Sequence, residues 1–311
     1  MTWHDTGDAG QQSVDLGPGG GRPGNGRDRE EVRRVRAVHH TRGTARRDTA
    51  GPAATAGVAA LAAMVALQVA SGVSADPARF VTPIVIALAA SAVAFAAAAR
   101  GPARALAAFA AAALTGYAAE AVGAATGVPF GAYRYTDVLW PKLGAVPLAV
   151  CVAWGGMGLA AYGVGRAIAP RWAVPLGAAA LTAWDLFLDP QMLRLGLWTW
   201  AEAGPYRGVP LSNFAGWLLV SLLVMAVIRA ILGAPGRLAG PVALYTAMAA
   251  METLAFAAVF QPRDPLVAAA GGLAMGGFAA AAWWRLRGAA TPPGPAAERA
   301  RAGQGRRPWP G

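Results

Sequence analysis

"TAWDLFLDPQM", residues 182–192, places two aspartates inside an otherwise apolar run. Asp185 and Asp189 are four residues apart, about one helical turn. On a helix both carboxyls therefore share a face, roughly 6 Å apart along the axis. No Lys or Arg lies within the run to pair with them. What these acids are for depends on the chain around them.

That chain has 311 residues, 56% of them hydrophobic and 14% charged, with a mean hydropathy of +0.40. Such a balance belongs to multi-pass membrane proteins rather than soluble globules. Eight apolar stretches approach the length needed to cross the hydrocarbon layer, at roughly 20 residues each. They run over about 53–73, 80–99, 103–125, 146–168, 172–190, 210–232, 239–260 and 265–284. Pro52, Pro83, Pro102, Pro147, Pro175, Pro210, Pro241 and Pro265 punctuate their starts, where a missing N–H would be unpaired in any case. Val-Pro-Leu recurs at 146, 174 and 209, but at irregular spacing, so it reads as shared helix-start chemistry rather than a repeat. The expected fold class is all-α: a polytopic membrane domain over 52–287 between basic tails over 1–51 and 288–311. "GPGGGRPGNGRDREEVRRVR" and "RGAATPPGPAAERARAGQGRRPWPG" cannot bury a core and read as disordered. The first reads as no signal peptide, because no apolar run falls within the first 30 residues. Small-residue stretches such as "GGLAMGGFAAAA" (271–282) suit close helix packing in lipid and carry no chemistry.

The net charge of +11 sits mainly outside the apolar body. Nine of the 27 basic residues precede residue 52 and six follow residue 284. Basic tails on a membrane body set topology and meet anionic lipid, so nucleic acid is not an expected partner. An even number of spans places both tails on one side, expected to be the cytoplasmic side of the cell membrane. Cys151 is the only cysteine, and His4, His39 and His40 all lie in the N-terminal tail. The body thus offers only carboxylates as metal ligands, which leaves a cofactor-free mechanism or one using a hard cation.

Four acids fall within the spans: Glu120, Asp185, Asp189 and Glu252. With cytoplasmic tails, each lies in the later half of an outward-running helix. Glu120 and Glu252 are about 8 and 12 Å from their outer ends. Ser212 and Asn213 enter from the same side, so the polar groups are expected to cluster in the outer leaflet. An acid in a span without a basic partner reads as functional. Apolar surroundings and a neighbouring carboxylate both favour the neutral acid, which is a proton donor. Asp185 is the expected donor and Asp189 its partner. Glu120 and Glu252 are further members of the same cluster. The adjoining outer segments, 127–144 and 193–217, are rich in Tyr, Trp, Gly and Pro. Trp140 and Trp217 fit an interfacial aromatic belt. Trp198 and Trp200 share one face of an alternating Trp-Thr-Trp, where aromatic faces would stabilise a cation.

The strings "GVPFGAYRYTDVLWPKLGAVPL", "AWDLFLDPQM", "GLWTW" and "GPYRGVPLSNFAGW" resemble the CruF-type integral-membrane carotenoid biosynthesis family. That family includes γ-carotene 1′-hydratase and bisanhydrobacterioruberin hydratase enzymes. The resemblance covers roughly residues 105 to 260. It implies cofactor-independent addition of water to the terminal C1′=C2′ bond of an acyclic carotenoid ψ-end, giving a tertiary alcohol. The expected partners are then a lipid-soluble carotenoid and membrane lipid, with room for association with other carotenoid enzymes. Tyr133, Tyr135, Trp184, Trp198, Trp200 and Asn213 are the expected pocket-lining residues. Two other readings stay open. A prenyltransferase-like isoprenoid enzyme could use paired aspartates to hold Mg²⁺ against a diphosphate, although no second Asp-rich segment is present. A proton-coupled carrier could use the acids as a relay, although broken mid-membrane helices are not advertised.

Overall fold

The computed structural model describes residues 51–290, and the side chains within it to residue 288. The remainder of both basic tails, with their three histidines, lies outside the described residues.

Eight long helices form the body: α1 (Pro52–Gly72), α2 (Val81–Arg100), α3 (Pro102–Thr126), α4 (Leu148–Ile168), α5 (Ala173–Arg194), α6 (Leu211–Leu232), α7 (Ala239–Leu254) and α8 (Pro265–Ala290). The eight expected helices are therefore present, most with ends displaced by only a few residues. Seven are long and apolar enough to cross a membrane, and α5, which holds both aspartates, is the eighth. The chain is a multi-pass membrane protein. Helix α8 continues three residues past 287, into the segment expected to be tail.

Prolines act as anticipated. Pro52 and Pro102 occupy the first turns of α1 and α3, while Pro147 and Pro210 stand just before α4 and α6 in extended conformation. At the far end of α3, Gly127 adopts φ 77°, and its N–H meets the Gly123 carbonyl at 2.7 Å. This left-handed cap turns the chain out of the helix.

Helix α4 is the central pillar. Every residue from Ala153 to Gly165 is buried, and α4 packs against α2, α3, α5, α6, α7 and α8. Small side chains permit this. A Cβ on Gly165 would lie 2.5 Å from the Ala173 carbonyl oxygen and 2.6 Å from the Gly177 nitrogen, both at the start of α5. Lipid supplies no hydrophobic drive between helices, so such backbone approach and a few interhelical hydrogen bonds hold them together. Tyr245 on α7 donates to the Ala180 carbonyl on α5 at 2.8 Å, and Ser91 on α2 to the Gly57 carbonyl on α1 at 2.9 Å.

Helix α5 does not stop at Pro190. It runs through the proline to Arg194, with Asp189 buried inside it. A proline within a helix removes one N–H and leaves the carbonyl four residues earlier without its partner. That carbonyl belongs to Leu186, and the Tyr206 hydroxyl donates to it at 2.9 Å. The defect is thereby filled from a loop.

Two short ribbons add to the helical fold. β1 (Tyr133–Tyr135) pairs antiparallel with β4 (Trp198–Trp200), and β2 (Lys142–Leu143) with β3 (Val146–Pro147). In the first ribbon the register sets Tyr133 opposite Trp200, Arg134 opposite Thr199 and Tyr135 opposite Trp198. Side chains alternate along a strand, so the four aromatic rings share one face. That face covers one end of the helix bundle.

Candidate functional site

Under the aromatic ribbon lies a cavity of about 60 Å³, large enough to admit water. Its wall includes Glu120, Tyr133, Tyr135, Trp184, Asp189, Trp198, Trp200 and Asn213. Most residues expected to form a site thus meet at one place, drawn from α3, α5, α6 and both strands of the ribbon.

The first carboxyl centre is Glu120, on the last turns of α3. Its Oε2 accepts from the Tyr133 hydroxyl and, at 2.7 Å, from the Tyr135 hydroxyl. Its Oε1 accepts from the Trp154 indole N–H at 3.0 Å. Three donors from two elements therefore converge on one side chain. Burial pushes both phenols above their ordinary range, so they remain O–H donors. Gly116, one turn before Glu120, makes space for the indole: a Cβ there would sit 2.3 Å from Trp154 Cγ.

The second centre is the aspartate pair. Asn213, in the first turn of α6, donates its side-chain amide to Asp185 Oδ2 at 2.7 Å and also to Asp189 Oδ2. One amide nitrogen therefore holds both carboxyls together. Trp198 donates to Asp189 Oδ1 at 3.0 Å. Asp189 contributes to the cavity wall, whereas Asp185 is fully buried one turn further back. Asp185 Oδ1 and the indole N–H groups of Trp184 and Trp200 have no partner among the described residues. No group of three or more His, Cys, Asp or Glu side chains there is arranged to hold a metal ion.

Glu252 departs from the expected cluster. It lies on α7, which packs on α1, α2, α4 and α8, and it lines a different cavity with Gln191. Sequence depth placed it at the right level of the bundle but could not say which helices are neighbours. Trp217 is a second correction. Trp140 is 77% exposed, as an interfacial residue would be, but Trp217 is buried. It stacks on Trp154 with ring centroids 4.2 Å apart and meets Trp184 edge-on at 6.3 Å. Trp154 and Trp217 therefore belong to the site, and neither was expected there. The available signal was a lone large ring in the small-residue run "AWGGMG".

Chemically, the cavity sets two carboxyl centres against a wall of indole and phenol rings in an apolar interior. One centre is saturated with donors and the other is a carboxyl pair. Such an arrangement can hold a proton on one side and a negative charge on the other.

A family model described as carotenoid biosynthesis protein matches residues 80–277, a stretch that contains every residue of this cavity. The chain is also similar to the bisanhydrobacterioruberin hydratase of Haloarcula japonica, with 35% identity over 113 residues. That match covers 34% of this chain and 38% of the relative, well under half of its length. No solved structure gives a significant match. The family match spans most of the helical body, and the chain belongs to the carotenoid biosynthesis protein family.

Proposed function

We propose that this chain is a carotenoid hydratase, adding water to the terminal C1′=C2′ bond of an acyclic ψ-end to give a tertiary alcohol. The observation that carries the reading is the aspartate pair on one asparagine, facing a cavity walled by aromatic rings. Family membership and the similarity to a hydratase support the substrate class and the reaction.

In the proposed mechanism the Asp185–Asp189 pair shares one proton, since two buried carboxyls gathered on one amide disfavour a second negative charge. Asp189, the member at the cavity wall, delivers it to C2′. The π electrons of the double bond form the new C–H bond, and a tertiary cation remains at C1′. The roles expected from the sequence are thus exchanged, with Asp185 as the positioning partner. Trp154, Trp217, Trp198 and Trp200 offer ring faces to the cation. Glu120, accepting three hydrogen bonds and donating none, supplies the opposing negative charge. A water oxygen bonds to C1′ and its proton returns to the pair, so the net change is addition of one water. The free indole N–H groups of Trp184 and Trp200 are donors for that oxygen. No step calls for a metal or cofactor.

The proposed setting is the cell membrane with both termini cytoplasmic, so that the polyene enters from the outer leaflet. Production of the full chain in cells that accumulate a ψ-end carotenoid tests the reading. The expected product is heavier by the mass of one water per modified end. Asp189→Asn should lower its formation by about 10²–10⁴-fold, the range of general acid catalysis. An unchanged carotenoid pool with folded protein in the membrane would overturn it.

A further inference from the structure

A second cavity, of about 210 Å³, lies between α1, α2, α5 and α7. Val81, Val85, Leu188 and Met192 line both cavities, so these four apolar side chains form a wall shared with the proposed reaction site. Its rim includes Val69 on α1 and Leu254 on α7, which are 54% and 52% exposed. On a membrane helix such apolar exposure faces lipid.

The interior is not purely apolar. Glu252 is buried there, and the Gln191 amide, with its nitrogen turned toward the carboxyl, donates to both oxygens at 3.1 and 3.2 Å. Gln68 turns its amide nitrogen to Met248 Sδ at 3.4 Å, leaving its buried carbonyl oxygen without a donor. Polar groups in a lipid-facing space are costly unless a ligand or neighbour satisfies them. A hydrocarbon polyene cannot do so. A hydroxyl can, because it donates one hydrogen bond and accepts others.

We propose that this second cavity is a binding site for the hydroxyl-bearing end of an isoprenoid alcohol, held by Gln68, Gln191 and Glu252 on its way between the reaction site and the bilayer. The inference rests on the hydratase reading, which generates a tertiary alcohol on the other side of the shared aliphatic wall. Gln68 Oε1 accepts the hydroxyl hydrogen, while the Gln191 amide, held in place by Glu252, donates to the hydroxyl oxygen. The isoprenoid chain lies along Val69, Met251 and Leu254 toward lipid.

The test uses the full chain in lipid nanodiscs and a photoreactive acyclic isoprenoid tertiary alcohol, with its methyl ether as comparator. Adducts on α1 and α7 are mapped by mass spectrometry. The alcohol should label Val69 or Met251 about tenfold more efficiently than the ether, the factor that one hydrogen bond supplies. Gln68→Leu and Glu252→Leu should each bring the alcohol down to the level of the ether. Equal labelling by alcohol and ether in the natural protein would overturn the proposal, and that comparison needs no variant to fold. Because the alcohol is supplied ready made, labelling reads the site even where no water is added, so this inference and the hydratase reading fail separately.

Discussion

Asn213 spends both hydrogens of one amide on two aspartates, and this makes it the most constrained polar residue of the site. Removing it strands buried carboxyl oxygens, each costing about 1–3 kcal/mol. Asn213→Ala should therefore lower the melting temperature as well as hydration, measured on the purified protein and by product formation. Gly116 carries a different kind of constraint. Any side chain there displaces Trp154 and with it a donor to Glu120. Gly116→Ala should reduce product formation by roughly tenfold, the worth of one hydrogen bond, while the helical signal in circular dichroism stays unchanged. Much of this site was legible from residue chemistry alone, because unpaired acids in apolar spans are rare and informative. The separation of Glu252 from Glu120 was not legible. Both sit at similar depth, and only the neighbours of α3 and α7 distinguish them.

At the scale of elements, the proline in α5 and the loop that repairs it form one unit. Tyr206 fills the Leu186 carbonyl. The same loop is tied down by Arg207, which reaches Asp264 Oδ1 at 2.9 Å and Oδ2 at 2.7 Å. Asp264 Oδ1 in turn accepts from the Val267 N–H at 3.2 Å in the first turn of α8. Burial, and next the Asp264 carboxylate, push the Tyr206 phenol up from 10.0 to about 12. A raised pKa in the folded state means that the folded protein holds its proton longer. The linked stability is full below pH 10 and is lost as pH rises from 10 to about 12. Tyr206→Phe should cost about 1 kcal/mol at neutral pH and remove that part of the alkaline loss, as read by thermal melts across the pH series. The helices themselves were legible because length, apolarity and proline placement agree. The β1–β4 ribbon was not, since three-residue strands some 60 residues apart leave almost no periodic signal. Only the alternation in "YRY" and "WTW" hinted that those rings share a face.

For the whole molecule, the distribution of basic residues predicts cytoplasmic termini, with the aromatic ribbon facing the opposite side. The natural cysteine, Cys151, is buried, which permits a clean labelling map. A cysteine placed at Asp137, an exposed position beside the ribbon, should react with an impermeant thiol reagent added to intact cells. Reaction only after the membrane is opened would reverse the orientation. Either result leaves the internal geometry of the cavity as it is, because that geometry comes from packing around α4. The central claim concerns one hydrogen inside this bundle: the aspartate pair holds a proton ready for an alkene. Infrared spectroscopy of the resting protein in lipid tests it most directly. The account predicts a carbonyl band of an un-ionised carboxylic acid that disappears in the Asp185→Asn, Asp189→Asn double variant. A spectrum in which that variant removes only ionised-carboxylate absorption would contradict it.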